Sequence, residues 1–105
     1  MQNIKSINPK ELFPGVKGYY AHGENITFGY IDLKKGSTVP MHQHIHEQTT
    51  YIVSGHLDMN IGGVQYSLTP GMVHVIPSNT PHNAIAIEDT VAIDTFSPVR
   101  EDYKV

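Results

Sequence analysis

Apolar and polar positions alternate in short runs along this chain, each bounded by Pro, Gly or Asn. No run keeps a helical period beyond about 11 residues. Ile26, Phe28 and Tyr30 alternate within Asn25–Leu33, which predicts a strand ended by Lys34-Lys35-Gly36-Ser37. Leu57–Ile61 and Val64–Leu68 also alternate, and only Gly62-Gly63 separates them. Two glycines tolerate the positive φ angles of a two-residue primed turn, so this pair predicts a hairpin. Further strands are expected at Gln48–Ser54, Met72–Ile76, His82–Ile87 and Thr90–Phe96. A single helical turn is expected at Pro9–Phe13, closed by Pro14-Gly15. Many short strands with frequent turn signals indicate an all-β sandwich or barrel, here one small antiparallel barrel.

Composition narrows the classes. At 105 residues and 11.7 kDa the chain is expected to form one domain, residues 1–105. With 39% hydrophobic and 16% charged residues it lacks the profile of a disordered chain. Net charge is −3 and the seven cations are scattered, so no basic face is expected for nucleic acid. No apolar run is long enough to predict a membrane span. The N-terminus lacks the basic-then-apolar pattern of a secretory signal, and with no cysteine present a cytoplasmic location is expected. Seven histidines against no cysteine change the picture most. A metal site here must combine imidazole with oxygen or amide donors, a set suited to Ni, Zn, Fe or Mn.

Met41-His42-Gln43-His44-Ile45-His46-Glu47-Gln48 carries the candidate chemistry. In a strand, residues i and i+2 share a face, so His42 and His44 are expected to project together toward one ion. A tight turn at His46-Glu47 would then place Gln48 at the start of the next strand, bringing an oxygen donor close to both rings. Spacing alone leaves open a surface strand with solvated histidines. His46 reads as a runner-up ligand or a supporting residue, Glu47 as solvated, and His22, His56 and His74 as satisfied or surface histidines.

The spacing Gly36-x5-His42-x-His44-x3-Gln48-x6-Gly55 resembles the first signature of the cupin superfamily, with Gln in the position that usually holds Glu. Gly71-x5-Pro77-x-Asn79-x2-His82 resembles the second, with Asn79 where Gly is usual and Ala86 where a terminal Asn is usual. The likeness spans roughly residues 36–98, with an N-terminal strand arm and a C-terminal tail outside it. It implies a jelly-roll β-barrel holding one divalent metal ion, with His42, His44, Gln48 and His82 as ligands. If His82 points inward, Ala84 and Ala86 do too, while Ile85 and Ile87 take the other face and supply packing. Ala92, Asp94 and Phe96 share the inner face of the last strand, since Val91 and Ile93 suit the other. An inward Asp94 is either paired with Arg100 for structure or placed beside the cavity as an acid or base. Arg100 is the sole arginine; it is either a surface residue answering Glu101 and Asp102 or a bidentate clamp for an acidic substrate.

The tail Ile93–Tyr103, together with His46-Glu47-Gln48 and Tyr51-Ile52-Val53-Ser54-Gly55, is similar to that of small cupins of the KdgF pectin-degradation type. That resemblance implies conversion of 4,5-unsaturated monouronates, released by pectate or alginate lyases, to linear ketonised sugars. It assigns Asp94, Phe96 and Arg100 to the substrate site. The expected partner is a small acidic sugar-like substrate, with neither nucleic acid nor membrane. Other cupin chemistry on the same metal (a dioxygenase, lyase or isomerase) and a non-enzymatic sugar-binding module stand beside this reading. Small cupins commonly dimerise by lending N-terminal strands. By analogy a homodimer is expected, with Ile26, Phe28 and Tyr30 joining an intersubunit sheet.

Overall fold

The short alternating runs form ten strands in the computed structural model, which describes residues 1–104. They are β1 (Lys10–Phe13), β2 (Val16–His22), β3 (Thr27–Leu33), β4 (Thr38–His42), β5 (Glu47–Ser54), β6 (Leu57–Ile61), β7 (Val64–Leu68), β8 (Val73–Ile76), β9 (His82–Ala86) and β10 (Thr90–Ser97). A six-stranded sheet runs β1-β2-β3-β10-β5-β8, and a four-stranded sheet runs β4-β9-β6-β7. Every pairing is antiparallel. The class is all-β and jelly-roll, as expected. Strict alternation puts Ile31 and Leu33 of β3, Leu57, Met59 and Ile61 of β6, and Ala84 and Ala86 of β9 into one core between the sheets. The β6–β7 hairpin has the expected register, Ile61 opposite Val64, with φ of +58° at Gly62 and +86° at Gly63.

Several expectations need correction. Pro9–Phe13 is not a helical turn. Lys10–Phe13 is an edge strand paired with β2, and Pro14-Gly15 makes the turn between them. An isolated helical turn is costly to nucleate, and the neighbouring strand supplies partners it could not. In β3 the inward residues are Thr27, Gly29, Ile31 and Leu33, so the alternating Ile26, Phe28 and Tyr30 mark the outer side. β3 is also paired on both edges, with β2 and β10, and has no free edge to lend to an intersubunit sheet. Ile85 and Ile87 leave the core as expected but are 40% and 38% exposed, so they face outward rather than supplying packing.

The inner face of β2 and β3 is shaped by one aromatic ring. A Cβ on Gly29 would lie 2.7 Å from the Tyr20 ring, and one on Gly18 would overlap the Tyr20 hydroxyl. The buried ring therefore lies flat across both glycines and forms one wall of the barrel interior. Gly29→Ala is expected to lower stability in urea unfolding by about 1–3 kcal/mol, the usual penalty of overpacking. That loss should shrink in a Tyr20→Leu background; the full loss there would locate the strain elsewhere.

Candidate metal centre and adjoining cavity

His42 closes β4 directly opposite His82, which opens β9. Both face inward because β4 contains a bulge. Val39 pairs with Ala84 and His42 with His82, so β4 uses one residue more than β9 over the same span. Val39 and His42 are three apart and would face opposite sides in a regular strand; the bulge turns both inward. Pro40 sits in the bulge on an edge strand, where its missing N–H breaks no ladder. His44 lies beyond the end of β4, so the expected i, i+2 strand geometry does not place it. The turn also differs: Ile45 and His46 form the bend and Glu47 already belongs to β5. Asn79, at φ +58°, donates its N–H to the His44 carbonyl at 2.7 Å and ties the loop before His82 to the His44 segment.

These elements bring the ligand nitrogens of His42, His44 and His82 within 4.8 Å of one another. Each ring is oriented the same way. Nδ1–H of His42 donates to the Pro40 carbonyl (2.8 Å), that of His44 to the His46 carbonyl (2.9 Å), and that of His82 to the Thr80 carbonyl (2.8 Å). A carbonyl only accepts, so each Nδ1 carries a proton and Nε2 is the nitrogen left to offer a lone pair. His82 Nε2 is buried without a hydrogen-bond partner among the described residues. His44 Nε2 lies 3.0 Å from Gln48 Oε1. Burial drives the His44 pKa down to about 4, with the Arg100 and His82 charges adding to the effect, so its ring is neutral at neutral pH. Two lone pairs then face one space. Burial lowers His82 as well, and the His42 and Arg100 charges act in the same direction. Converging neutral donors that disfavour a proton fit a divalent cation. His46 stays outside this cluster and takes part through its carbonyl.

The cluster borders a cavity of about 100 Å³ whose lining includes His42, Gln48, His82, Asp94 and Arg100. Asp94 faces inward with Ala92 and Phe96, as expected. It sits deep in the protein yet keeps some accessible surface because it lines the cavity. Burial raises its pKa to about 6, opposed by hydrogen bonds from Thr50 and Gln48 and by the Arg100 charge. Arg100 is not paired with Asp94. Its Nε and Nη2 bind the two Asp102 oxygens at 3.0 and 2.9 Å, while Glu101 pairs with Lys104. Nor is it a surface residue: it is 5% exposed, with its guanidinium 3.9 Å from the Tyr103 ring centroid and 4.8 Å from that of Phe96. Burial works against its charge, but the Asp102 bond and neighbouring groups more than offset this and raise its pKa. Nη1 is left buried and without a partner among the described residues. The backbone N–H of Arg100 donates to Thr27 Oγ1 at 2.9 Å, anchoring the tail to β3.

The cupin domain family profile matches residues 29–96. This chain belongs to the cupin family. Pectin degradation protein KdgF of Dickeya dadantii strain 3937 is 30% identical over 97 residues, covering 90% of this chain and 88% of that protein. The structure of KdgF from a Halomonas species is 32% identical, with a TM-score of 0.86, covering 93% of this cupin and 92% of that chain. An RmlC-like cupin from Shewanella frigidimarina NCIMB 400 is 28% identical, with a TM-score of 0.92, covering 99% and 95%.

His22, His56 and His74, expected to be satisfied or surface histidines, lie outside the cluster. His22 hydrogen-bonds Thr27 Oγ1, His56 pairs with Asp58, and the His74 ring packs 4.4 Å from that of Tyr66. Tyr20, Tyr103, Thr27 and Thr50 escaped sequence reasoning. Tyr20 left one legible signal, an inward aromatic between Gly18 and Gly29; the others depend on contacts between distant strands. Two of the perturbed groups, His44 and Asp94, make opposite predictions for pH. A neutral His44 lends stability above its usual pKa of 6.5 that is lost as pH falls toward 4. Asp94 imposes a penalty above about 6 that is relieved as pH falls toward 3.8. In urea unfolding of metal-free protein from pH 7 to 4, His44→Gln should flatten the acid loss and Asp94→Asn should steepen it. Parallel profiles in all three proteins would contradict both assignments.

Proposed function

We propose that this cupin is a metal-dependent enzyme that converts a 4,5-unsaturated monouronate from pectin or alginate breakdown to its linear ketonised form. The observation that carries this reading is that an acid, Asp94, and a partly unpaired guanidinium, Arg100, line the same cavity as His42 and His82, whose ligand nitrogens cluster with that of His44. Similarity to the KdgF proteins over most of both chains supports the same class. His42, His44, Gln48 and His82 would hold one ion of Ni, Zn, Fe or Mn, and four neutral donors would leave its +2 charge undiminished as a Lewis acid toward a sugar oxygen.

The chain's own groups divide the rest of the work. Arg100 Nη1 binds the substrate carboxylate, while Asp102 holds the other side of the guanidinium and the Phe96 and Tyr103 rings pack against it. Asp94 takes the proton of the anomeric hydroxyl as the bond from C1 to the ring oxygen breaks, giving an aldehyde and an enolate on the former ring oxygen. It returns that proton to C4 as the enolate becomes the ketone, so the reaction is an isomerisation with no net proton change. A carboxyl titrating near 6 is suited to both transfers near neutral pH. Phe96 shapes the pocket beside the guanidinium. The setting inferred for this reaction is the cytoplasm.

A homodimer is part of the same reading, through the outer side of the six-stranded sheet rather than by strand exchange. Val73, Tyr51, Ile93, Tyr30 and Tyr19 stand directly opposite one another across five strands on that side, with the Lys5 ammonium over the Tyr19 and Tyr30 rings. Sedimentation equilibrium should give twice the chain mass, and Tyr51→Lys should give the monomer. A monomeric wild-type protein at high concentration would remove the dimer.

Metal-loaded protein should accelerate the absorbance decay of unsaturated galacturonate. Asp94→Asn should slow turnover by about 10²–10⁴-fold, the usual contribution of a positioned acid or base, and Arg100→Lys should chiefly raise KM. Decay at the spontaneous rate would overturn the enzymatic reading. Tight uronate binding without turnover would favour a binding module.

A further inference from the structure

We infer that Thr50 is a positioning residue for the metal centre: its hydroxyl turns the oxygen, not the nitrogen, of the Gln48 amide toward the histidines. This rests on the reading of His42, His44, Gln48 and His82 as metal ligands, and is independent of the substrate.

Gln48 and Thr50 are successive inward residues of β5, both buried, and Thr50 stands directly opposite Asp94 of β10. Gln48 Nε2 donates to Thr50 Oγ1 at 3.0 Å, Thr50 Oγ1 donates to Asp94 Oδ1 at 2.8 Å, and Gln48 Oε1 lies 3.0 Å from His44 Nε2. The direction of this chain follows from counting protons. A carboxylate has none to give, so the single hydroxyl proton of Thr50 goes to Asp94. The hydroxyl oxygen is then left as an acceptor, and only the NH₂ of Gln48 can satisfy it. That choice puts Oε1 on the side of the histidine cluster. With the amide reversed, the Thr50 proton would go to Gln48 and the Asp94 carboxylate would face a hydroxyl oxygen with no proton between them. An amide is the one common oxygen ligand that needs such control, since a carboxylate presents an oxygen in either orientation. A Gln ligand therefore requires a polarity-setting neighbour, and Thr50 occupies that place.

The test is a Co²⁺ titration of the chelator-stripped full chain, read by visible absorption of the bound ion. Thr50→Val keeps the shape and loses the hydroxyl; Thr50→Ser keeps the hydroxyl and loses a methyl. The relay predicts that Thr50→Val weakens Co²⁺ binding about 10–100-fold, the usual effect of losing a group that orients a ligand, and shifts its spectrum. Thr50→Ser should stay close to wild type. A packing role predicts the reverse order or equal losses, and either result would overturn the proposal, as would wild-type affinity and spectrum in Thr50→Val. If Thr50→Val does not fold, Thr50→Ala against Thr50→Ser makes the same comparison, because they differ only in the hydroxyl. Failure of the wild-type protein to bind Co²⁺ would overturn the metal reading and the relay together. Lack of uronate turnover beside the predicted Co²⁺ pattern would overturn only the substrate assignment.

Discussion

The register between β5 and β10 is the constraint on which the site depends. It sets Gln48 opposite Phe96 and Thr50 opposite Asp94, with all four side chains on the inner face. Because strand side chains alternate with period two, a slip of one residue would turn Asp94 and Phe96 outward and bring Ile93 and Thr95 into the cavity. β10 is held in that register from both sides, since β3 pairs with it over Thr90–Phe96. The arrangement makes the acid, the amide and the threonine neighbours although Thr50 and Asp94 are 44 positions apart in the chain.

A second constraint follows from gathering polar groups in a small, partly dry space. Every group there is either neutral, hydrogen-bonded or left with one free valence aimed at function. His44 and His82 are held toward the neutral form because burial disfavours their cations and the nearby guanidinium adds to that effect. Asp94 has a neutral hydroxyl donor and the field of Arg100 against the penalty of burial, and burial prevails, leaving it easily protonated. Among the described residues Arg100 is the only lysine or arginine lining the cavity, and Asp102 with two aromatic rings supports it there. Among the described residues three buried side-chain atoms lack a hydrogen-bond partner, His46 Nδ1, His82 Nε2 and Arg100 Nη1, and the last two belong to residues lining the cavity, where a ligand would complete them.

Much of this was legible in the chain. Alternation, the Gly62-Gly63 turn and the spacing of Pro and Gly indicated the strands, because these are local properties of the backbone. Where a reading failed, the competing influence was tertiary. Lys10–Phe13 is a strand because β2 lies beside it. The alternation of Ile26, Phe28 and Tyr30 marked a strand without saying which side is inner, and the inside of β3 carries Gly29, which admits the Tyr20 ring. Arg100 was read as either clamp or surface residue; it is buried, and it answers Asp102 while keeping Nη1 free.

The amino-acid sequence by itself determined the donor set: three histidines and an amide in two spaced motifs, an acid on the inner face of the last strand, and a single guanidinium in the tail. Only the tertiary structure decided how these meet. Counting by twos places His42 and His44 together, but the strand ends at His42, and a bulge at Pro40 turns that residue inward. Three backbone carbonyls then choose the tautomer of each ring, and a threonine paired with Asp94 chooses the face of the amide. None of these choices follows from spacing, because each is a hydrogen bond or a pairing offset set by the folded backbone.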